Sequence, residues 1–383
     1  MKRHSKKVIL RVGTLFSGIG AFEQALKQLG ILHEIVFACD NGERYLTSTL
    51  EDLKVQTKGM NSDEAEKYVD ALYEKAGKPN NVKKSYFANY DITEERWHND
   101  IRFMSGIPYK EKIDILVGGS PCQSFSTYGL KRGLEDARGT LFYDYARMIK
   151  EVQPKVFIFE NVRGLLLHDK GNTWRVIKGV FDSLDYEIGI PQVLNAQDYG
   201  LPQMRKRLFV VGVKKSLGKP AFQYPPKMPL EHKASEYLTP SKDVPIHYYL
   251  PEKGYKWATE IERSRNKARM NRDVIGCQTA VQQFNWSGDF RMEEARPEHF
   301  TTPGVYVTKY AGPVERLRKE FAGKDVVVRK LMPDECLRLM GFKDFKIVVD
   351  DNVAYRQAGN SIAVPVLIAL VRGIMKQFFD REV

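Results

Sequence analysis

Short apolar runs alternate with stretches of helical periodicity through the first 213 residues of the chain. Runs of this kind are typical of buried strands, and the stretches between them carry apolar residues at the spacing of a helix. This alternation predicts an α/β fold with a Rossmann-like, mostly parallel sheet and helices on both faces. The predicted strands are Val8–Thr14, Ile35–Asp40, Ile113–Gly118, Val156–Glu160 and Leu208–Val213.

One insertion, of about residues 51–89, interrupts the alternation between the second and third strands. Its pattern predicts a helix that Ser62 caps and that Gly77 ends, with apolar residues along one face. These apolar residues are Ala65, Tyr68, Val69, Leu72 and Ala76. We interpret the insertion as packing rather than chemistry.

The pattern changes after Val213, where prolines cluster and the sequence becomes irregular and basic. The change predicts a first domain over residues 1–213 and a smaller, irregular second domain over residues 214–328. Residues 329–383 are predicted to return to the first domain. They include a helix with Asn360 and Ser361 at its start and Pro365 in its first turn, where a missing amide donor is tolerated.

The charge distribution favours a polyanionic partner. The 383 residues carry 60 Lys and Arg against 48 Asp and Glu, a formal net charge of +12. Residues 214–330 hold 22 basic and 14 acidic residues, so a net charge of +8 falls in under a third of the chain. If a nucleic acid binds, this segment is expected to form much of the surface that it meets.

The four cysteines, Cys39, Cys122, Cys277 and Cys336, lie far apart without a CxxC pair. This spacing excludes a zinc ribbon or a redox dithiol, and neither a metal site nor a disulfide framework is expected. No run approaches 18 consecutive apolar residues, so the sequence predicts no membrane span. We expect a cytoplasmic protein.

A glycine turn follows the first predicted strand and contains Phe16, Gly18, Ile19 and Gly20. Glycines at this position let the backbone approach a ligand, while amides of the next helix face a negative group. Asp40 closes the second strand, where an acid can accept hydrogen bonds from ribose hydroxyls. The set indicates a nucleoside cofactor or, alternatively, a tight turn with solvated acids. It does not distinguish a dinucleotide from S-adenosylmethionine.

Candidate chemistry also follows the third and fourth predicted strands. Cys122 lies in a loop after Gly118, at the edge where open α/β sheets bind ligands, although a lone cysteine is more often a small buried hydrophobe. Glu160 and Asn161 emerge at the same edge. Partial desolvation would raise the pKa of Glu160 and let it donate a proton, whereas the structural alternative is a helix cap.

Two further pairs of residues are weaker candidates. Arg205 and Arg207 lie two positions apart before the last predicted strand, so they share a face if the segment is extended. Paired arginines usually form solvated or salt-bridged edges, which is the alternative here. Asp91, followed by Ile92, ends a later element and could contact an adenine edge.

The order of these motifs resembles that of the DNA (cytosine-5)-methyltransferase family. The resemblance covers roughly residues 10–213 and 329–375, and implies a catalytic domain that binds S-adenosylmethionine and a target-recognition domain over residues 214–328. The motifs that carry it are Phe16–Gly20, Gly119–Gln123, Glu160–Val162, Gln203–Arg207 and Arg356–Ser361.

The resemblance implies a role for each motif. Cys122 would add to carbon 6 of cytosine, Glu160 would donate at ring nitrogen 3, and Arg207, with Arg205 beside it, would hold the exocyclic oxygen or a phosphate. The cofactor would be S-adenosylmethionine, leaving as S-adenosylhomocysteine, with Asp40 or Asn41 at the ribose and no metal. The implied cofactor-binding residues are Phe16, Gly18, Ile19, Gly20, Asp40, Asn41, Asp91, Ile92, Pro121, Leu141, Asn360 and Ser361.

The resemblance also implies the partner, which would be duplex DNA with the target cytosine rotated out of the helix. Residues that read bases would come from the second domain. The candidates are Arg263, Arg265, Arg269, Arg272, Gln278, Gln282, Gln283 and Asn285. We expect a bacterial monomer, accompanied by a cognate restriction endonuclease that acts independently. The alternatives are an RNA cytosine-5 methyltransferase, a catalytically silent DNA-binding regulator on the same fold and, more distantly, a nicotinamide dehydrogenase.

Overall fold

The computed structural model describes residues 9–121, 141–259, 269–285, 288–312 and 314–383. The predicted nucleophile Cys122 and two base-reading candidates, Arg263 and Arg265, lie outside these ranges. The chain divides into two compact units. Unit 1 comprises residues 1–195, 206–227 and 364–383, and unit 2 comprises residues 196–205 and 228–363.

The secondary structure of the described residues alternates in unit 1 and is more irregular in unit 2. The strands are β1 (Leu10–Leu15), β2 (His33–Cys39), β3 (Trp97–His98), β4 (Ile115–Gly118), β5 (Val156–Val162), β6 (Tyr186–Ile188), β7 (Gln192–Asn195), β8 (Lys206–Lys214), β9 (Arg269–Met270), β10 (Asp289–Glu294), β11 (Thr308–Lys309) and β12 (Asp325–Lys330). The α-helices are α1 (Ala21–Gln28), α2 (Leu50–Gln56), α3 (Ser62–Lys75), α4 (Asn81–Asn89), α5 (Leu141–Val152), α6 (Asn172–Asp182), α7 (Glu252–Thr259), α8 (Pro297–Thr301), α9 (Glu315–Glu320), α10 (Pro333–Arg338), α11 (Asp351–Asn360) and α12 (Val364–Phe378).

The sheet of unit 1 has eight strands among the described residues, in the order β3-β2-β1-β4-β5-β8-β6, with β7 paired to β8. The strands from β3 to β5 are parallel, whereas β8 runs antiparallel to β5. The carboxyl ends of β1, β2, β4 and β5 therefore meet at one edge of the sheet. The predicted mostly parallel α/β sheet is confirmed.

An apolar core between the sheet and its helices stabilises unit 1. Helix α5 carries Phe142, Tyr145, Met148, Ile149 and Val152 at three- and four-residue spacing, and all five are buried. They pack against apolar side chains of β4 and β5. Helix α12 buries nine residues and packs against α1. The spacing that predicted helices therefore also identified the faces that they bury.

The insertion contains three helices, α2, α3 and α4, rather than one. The helix predicted between residues 62 and 77 is confirmed as α3, but its cap is Asn61, which accepts a hydrogen bond from the Glu64 N–H, and Ser62 is the first helical residue. Gly77 follows the end of α3 with a φ of 72°. Val69 and Tyr73 are the buried residues of this helix. The insertion thus has a small core of its own.

Unit 2 is built on a second sheet, with four described strands in the order β11-β12-β10-β9. Arg329 of β12 is fully buried and forms ion pairs of 2.8 Å with Glu293 of β10 and with Glu335 of α10. A buried arginine needs such partners, because an unpaired charge in the interior is costly. These bonds join β12 to β10 and α10 within unit 2. Residues 329–363 as a whole belong to unit 2, whereas the sequence pattern assigned them to the first domain. Whether the two units act as catalytic and target-recognition domains stays a prediction.

The C-terminal helical segment is two helices rather than one. Helix α11 ends at Asn360, and α12 begins at Val364 with Pro365 in its first turn, so Asn360 and Ser361 precede α12 instead of starting it. The segment Asp351–Phe378 is long and apolar enough, by length and composition, to cross a membrane. Its most apolar window is 67% buried in the structure, as is usual for a helix in a protein core.

Candidate active site

The glycine turn after β1 has a strained backbone. Phe16, Gly18 and Gly20 have φ angles of 54°, 53° and 77°, in the left-handed region that is unfavourable for Phe. The Gly18 N–H donates to Asp40 Oδ2 at 2.9 Å, which anchors the turn to the end of β2. Among the described residues, no atom lies within 4 Å of the position that a Cβ atom on Gly18 would take. The backbone is therefore open on this side.

Asp40 and Asn41 hold the loop after β2. The Gly42 N–H donates to Asp40 Oδ1 at 2.8 Å. Burial raises the pKa of the Asp40 carboxyl, although the backbone N–H groups of the two glycines oppose the rise. The Asn41 side chain donates to the Arg44 carbonyl and accepts from the Glu43 N–H. Asp40 thus joins two loops and retains acceptor capacity, whereas Asn41 closes a local turn.

The predicted adenine contact lies away from a strand end. Asp91 is exposed and follows α4, and Ile92 is half-buried. The same dipeptide recurs as Asp100 and Ile101, two residues after β3, which pairs with the end of β2. The strand-end position belongs to Asp100, and the repeated dipeptide is the sequence signal that could have found it. Asp100 is buried and accepts a hydrogen bond from the Tyr73 hydroxyl.

Gly119 and Glu160 are in direct contact at the carboxyl ends of β4 and β5. A Cβ atom on Gly119 would lie 2.8 Å from Glu160 Oε2 and 2.8 Å from the Glu160 carbonyl oxygen. Only glycine leaves room for the carboxylate at this point. The buried Asn161 side chain donates to the Ser120 carbonyl at 2.9 Å. The two loops are therefore bonded together immediately before the predicted nucleophile.

Glu160 also forms an ion pair with a neighbouring strand. Its Oε1 lies 3.2 Å from Arg207 Nε, and the two side chains are 14% and 18% exposed. The antiparallel pairing of β5 with β8 brings them together, since Val162 lies opposite Arg207. Arg207 and the Gly119 backbone therefore orient the carboxylate from two sides. Cys122, three positions beyond Gly119, lies outside the described residues.

Three other predicted cofactor residues differ in their surroundings. Ile19 is 2% exposed and contributes its side chain to packing. Pro121 is exposed and continues the loop of Gly119. Leu141 is the first residue of α5 and is half-buried against the main core. Contact between these residues and a cofactor stays a prediction.

Comparison with known proteins identifies the family. The family model for C-5 cytosine-specific DNA methylases matches residues 10–376. The chain belongs to this family. The methylase is 37% identical over 308 residues to the type II methyltransferase M.HpaII of Haemophilus parainfluenzae, covering 77% of this chain and 80% of that protein. It is 35% identical over 260 residues to the type II methyltransferase M.HhaI of Haemophilus parahaemolyticus, covering 66% and 73%.

Solved structures share the fold of the methylase at lower sequence identity. A mutant of Spodoptera frugiperda DNMT2 superposes with a TM-score of 0.64 and 18% identity, over 96% of this chain and 99% of that one. A putative DNA modification methyltransferase from an Escherichia coli prophage gives a TM-score of 0.54 and 18% identity, over 97% and 100%. These likenesses confirm the fold.

Arg205 of the methylase is a buried bracing residue of unit 2. It is 2% exposed, and its guanidinium donates to the carbonyls of Gln278, Gly359 and Ser361 at 2.9, 2.8 and 2.6 Å. The expectation that Arg205 stands beside Arg207 at the base is therefore corrected. A buried guanidinium needs several acceptors, and the carbonyls of unit 2 supply them.

The C-terminal motif of the methylase also lies in unit 2. Asn360 is exposed as the last residue of α11, and Ser361 is 7% exposed. A Cβ atom on Gly359 would lie 2.1 Å from the Thr279 carbonyl oxygen, so the motif packs closely on the segment after Gln278. The roles of Asn360 and Ser361 at the cofactor stay predictions.

Several candidates for base reading have structural roles. Arg269 forms an ion pair of 2.8 Å with Asp289, and Gln278 and Gln283 are 2% and 7% exposed. Arg272, Gln282 and Asn285 also keep exposed or half-buried side chains, and Arg269 is half-buried in its ion pair. Within the described residues, no group of three or more His, Cys, Asp or Glu could hold a metal ion.

Proposed function

We propose that this methylase transfers a methyl group from S-adenosylmethionine to carbon 5 of cytosine in duplex DNA, with Cys122 as a covalent nucleophile. The observation that carries the proposal is the placement of Glu160, whose carboxylate lies against Gly119 and is held by Arg207. An oriented acid against Gly119, three positions before Cys122 in the sequence, supports a role in protonating the base that Cys122 attacks.

The glycine turn fits S-adenosylmethionine better than a dinucleotide. Phe16 offers a half-buried ring, Gly18 an open backbone and Asp40 an acceptor for ribose hydroxyls. The third glycine of a dinucleotide-binding turn is replaced by Glu23, which lies in the first turn of α1. The family is S-adenosylmethionine-dependent in general. When bound, the cofactor would supply an electrophilic methyl group on a positively charged sulfur.

The protein groups would make cytosine nucleophilic. Carbon 5 reacts poorly until the Cys122 thiolate bonds to carbon 6 and an electron pair moves toward ring nitrogen 3. Glu160 donates a proton there, and Arg207 stabilises the developing charge. With carbon 5 made nucleophilic, the cofactor would supply the methyl group and, as its methyl–sulfur bond breaks, would leave as neutral S-adenosylhomocysteine. Loss of the carbon 5 proton to a base or water breaks the sulfur–carbon 6 bond, regenerates the thiolate and returns the nitrogen 3 proton to Glu160.

The substrate would be duplex DNA with its target base rotated out. A thiolate cannot reach carbon 6 of a stacked cytosine, so the chemistry requires base flipping. The net charge of +8 over residues 214–330 supports phosphate binding. The names of the type II relatives support a role in bacterial DNA modification. We further propose that the protein is cytoplasmic and acts as a monomer, alongside an independent restriction endonuclease.

The test is methyl transfer from labelled S-adenosylmethionine to plasmid DNA and, in parallel, to a structured RNA. We expect label in duplex DNA only, at a cytosine that bisulfite sequencing locates within a recurring sequence. Cys122→Ser should abolish transfer, whereas Cys277→Ser, at a half-buried cysteine of unit 2, should retain it. Label in RNA alone would overturn the DNA assignment, and label in neither would favour the silent regulator.

A trapping experiment tests the covalent route separately. DNA with 5-fluorocytosine at the target should form a stable adduct with the wild-type protein, because fluorine cannot leave as a proton does. Cys122→Ser should form none. Active enzyme that gives no adduct would exclude addition and elimination through Cys122.

A further inference from the structure

The inserted segment of unit 1 contacts the glycine turn directly. The Tyr90 hydroxyl, at the end of α4, donates to the Gly20 carbonyl at 2.7 Å, and a Cβ atom on Gly20 would lie 2.2 Å from the Tyr90 ring. The Tyr86 hydroxyl donates to Glu23 Oε1 at 2.5 Å, and Thr14 donates to the same oxygen at 3.1 Å. Tyr90 therefore holds Gly20, the last residue of the turn. Tyr86 holds Glu23, which also binds Thr14 just before the turn.

The same insertion also contacts the loop after β2. Asn80, the cap of α4, donates to the Asp40 carbonyl at 2.9 Å, and a Cβ atom on Gly42 would lie 2.2 Å from Asn80 Oδ1. Lys78 donates to the Glu43 carbonyl at 3.2 Å. The start of α4 thus fixes the loop that carries Asp40, and its end fixes the glycine turn.

The contact between Tyr86 and Glu23 is polar although both side chains are buried. Tyr86 is fully buried and Glu23 is 1% exposed, yet Glu23 Oε2 has no hydrogen-bond partner among the described residues. Burying a carboxyl group in this way costs stability. A phenylalanine at either tyrosine position would fill nearly the same volume but would remove the donor to Glu23 or to the Gly20 carbonyl, so the hydroxyl groups hold these two residues in position.

We infer that α4 braces the cofactor site and that Tyr86 and Tyr90 are positioning residues for S-adenosylmethionine. The inference rests on the proposed function. The turn has left-handed conformations at Phe16, Gly18 and Gly20, and such a backbone persists only where its surroundings hold it. Without the two hydroxyl bonds, a smaller fraction of molecules has the binding conformation, and the apparent affinity for the cofactor falls by that fraction.

The test uses the full chain and measures S-adenosylmethionine binding by calorimetry, together with KM for the cofactor and for DNA. Tyr90→Phe and Tyr86→Phe should each weaken cofactor binding by about tenfold and raise the cofactor KM, while the DNA KM stays unchanged. Tyr68→Phe is the matched control, because its hydroxyl contacts Gln56 within the same insertion. It should bind the cofactor as the wild type does.

A second control separates positioning from stability. Val69→Ala truncates a buried residue of α3 that belongs to the core of the insertion, so it should lower Tm without changing cofactor affinity. Wild-type affinity in both Tyr86→Phe and Tyr90→Phe would overturn the brace. The inference would also be overturned if Val69→Ala weakened cofactor binding as much as the tyrosine variants do at the same loss of Tm, because the weaker binding would then follow from lower stability. Wild-type protein that binds no S-adenosylmethionine would refute the proposed function instead.

Discussion

Glu160 Oε1 lies 3.2 Å from Arg207 Nε, while Oε2 lies close to the Gly119 backbone. The ion pair joins two strands that run in opposite directions, β5 and β8, and both side chains are largely shielded from water. An acid held in this way has a restricted orientation beside Gly119. Catalysis should therefore depend on the carboxylate and on the two groups that position it.

Glu160→Gln should lower kcat by about 10² to 10⁴-fold, because the amide can accept a hydrogen bond from Arg207 but cannot donate a proton as an acid does. Binding of S-adenosylmethionine should stay within about twofold of wild type. Single-turnover methyl transfer and calorimetry measure the two effects. A normal kcat in Glu160→Gln would remove the acid from the mechanism.

Gly119→Ala should lower kcat by at least about tenfold, because its Cβ atom would displace the Glu160 carboxylate and press on the Glu160 carbonyl. The matched control is Gly164→Ala, since a Cβ atom there meets no described atom within 4 Å. Steady-state kinetics on plasmid DNA compare the two variants. Equal activity in both would show that the position of Glu160 at Gly119 is unimportant.

Glu23→Gln should change how stability depends on pH. Burial raises the pKa of Glu23, so its contribution to stability is complete below the ordinary pKa of a glutamate and is lost as pH rises through the folded-state value. Glu23→Gln has no titrating carboxyl group at this position, so its stability does not fall with pH in this way. Its Tm relative to wild type should therefore increase by a few degrees between pH 5 and pH 8, measured by thermal unfolding. A difference that does not vary with pH would contradict this sign.

Arg205→Ala should destabilise the protein by about 3 kcal/mol or more, because it leaves three buried carbonyl groups without their donor. Arg318→Ala in the same unit is the control, since the exposed Arg318 side chain donates to a single carbonyl, that of Gly312. Arg318→Ala should lower the free energy of unfolding by no more than about 0.5 kcal/mol. Chemical denaturation of both variants measures the difference, and a small cost for Arg205→Ala would return this residue to the list of candidate substrate contacts.

DNA binding should weaken steeply with salt, because the basic residues of 214–330 would displace counterions from phosphates. Fluorescence anisotropy with duplex DNA from about 50 to 200 mM salt should show a linear fall of log affinity against log salt. A flat response would contradict the use of this charge in DNA binding.

The sequence was sufficient for much of the fold. The predicted strands at residues 35–40, 113–118 and 156–160 overlap β2, β4 and β5, and the inserted helix is α3. Local periodicity carries this information because each element buries its own apolar face. Periodicity did not show that β8 runs antiparallel to β5, or that Arg329 holds its segment in unit 2, since both depend on residues distant in the chain.

The candidate site, like the fold, has features that the sequence predicts and features that only the folded chain shows. The sequence by itself determined the family, the order of the motifs and the residue types at the strand ends, because the chemistry constrains those residues wherever they lie. Only the tertiary structure decided that Glu160 pairs with Arg207 over Gly119, that Arg205 braces unit 2, and that Tyr86 and Tyr90 reach the glycine turn. These relationships join residues 41 to 156 positions apart, and a contact over such a separation exists only once the chain has folded.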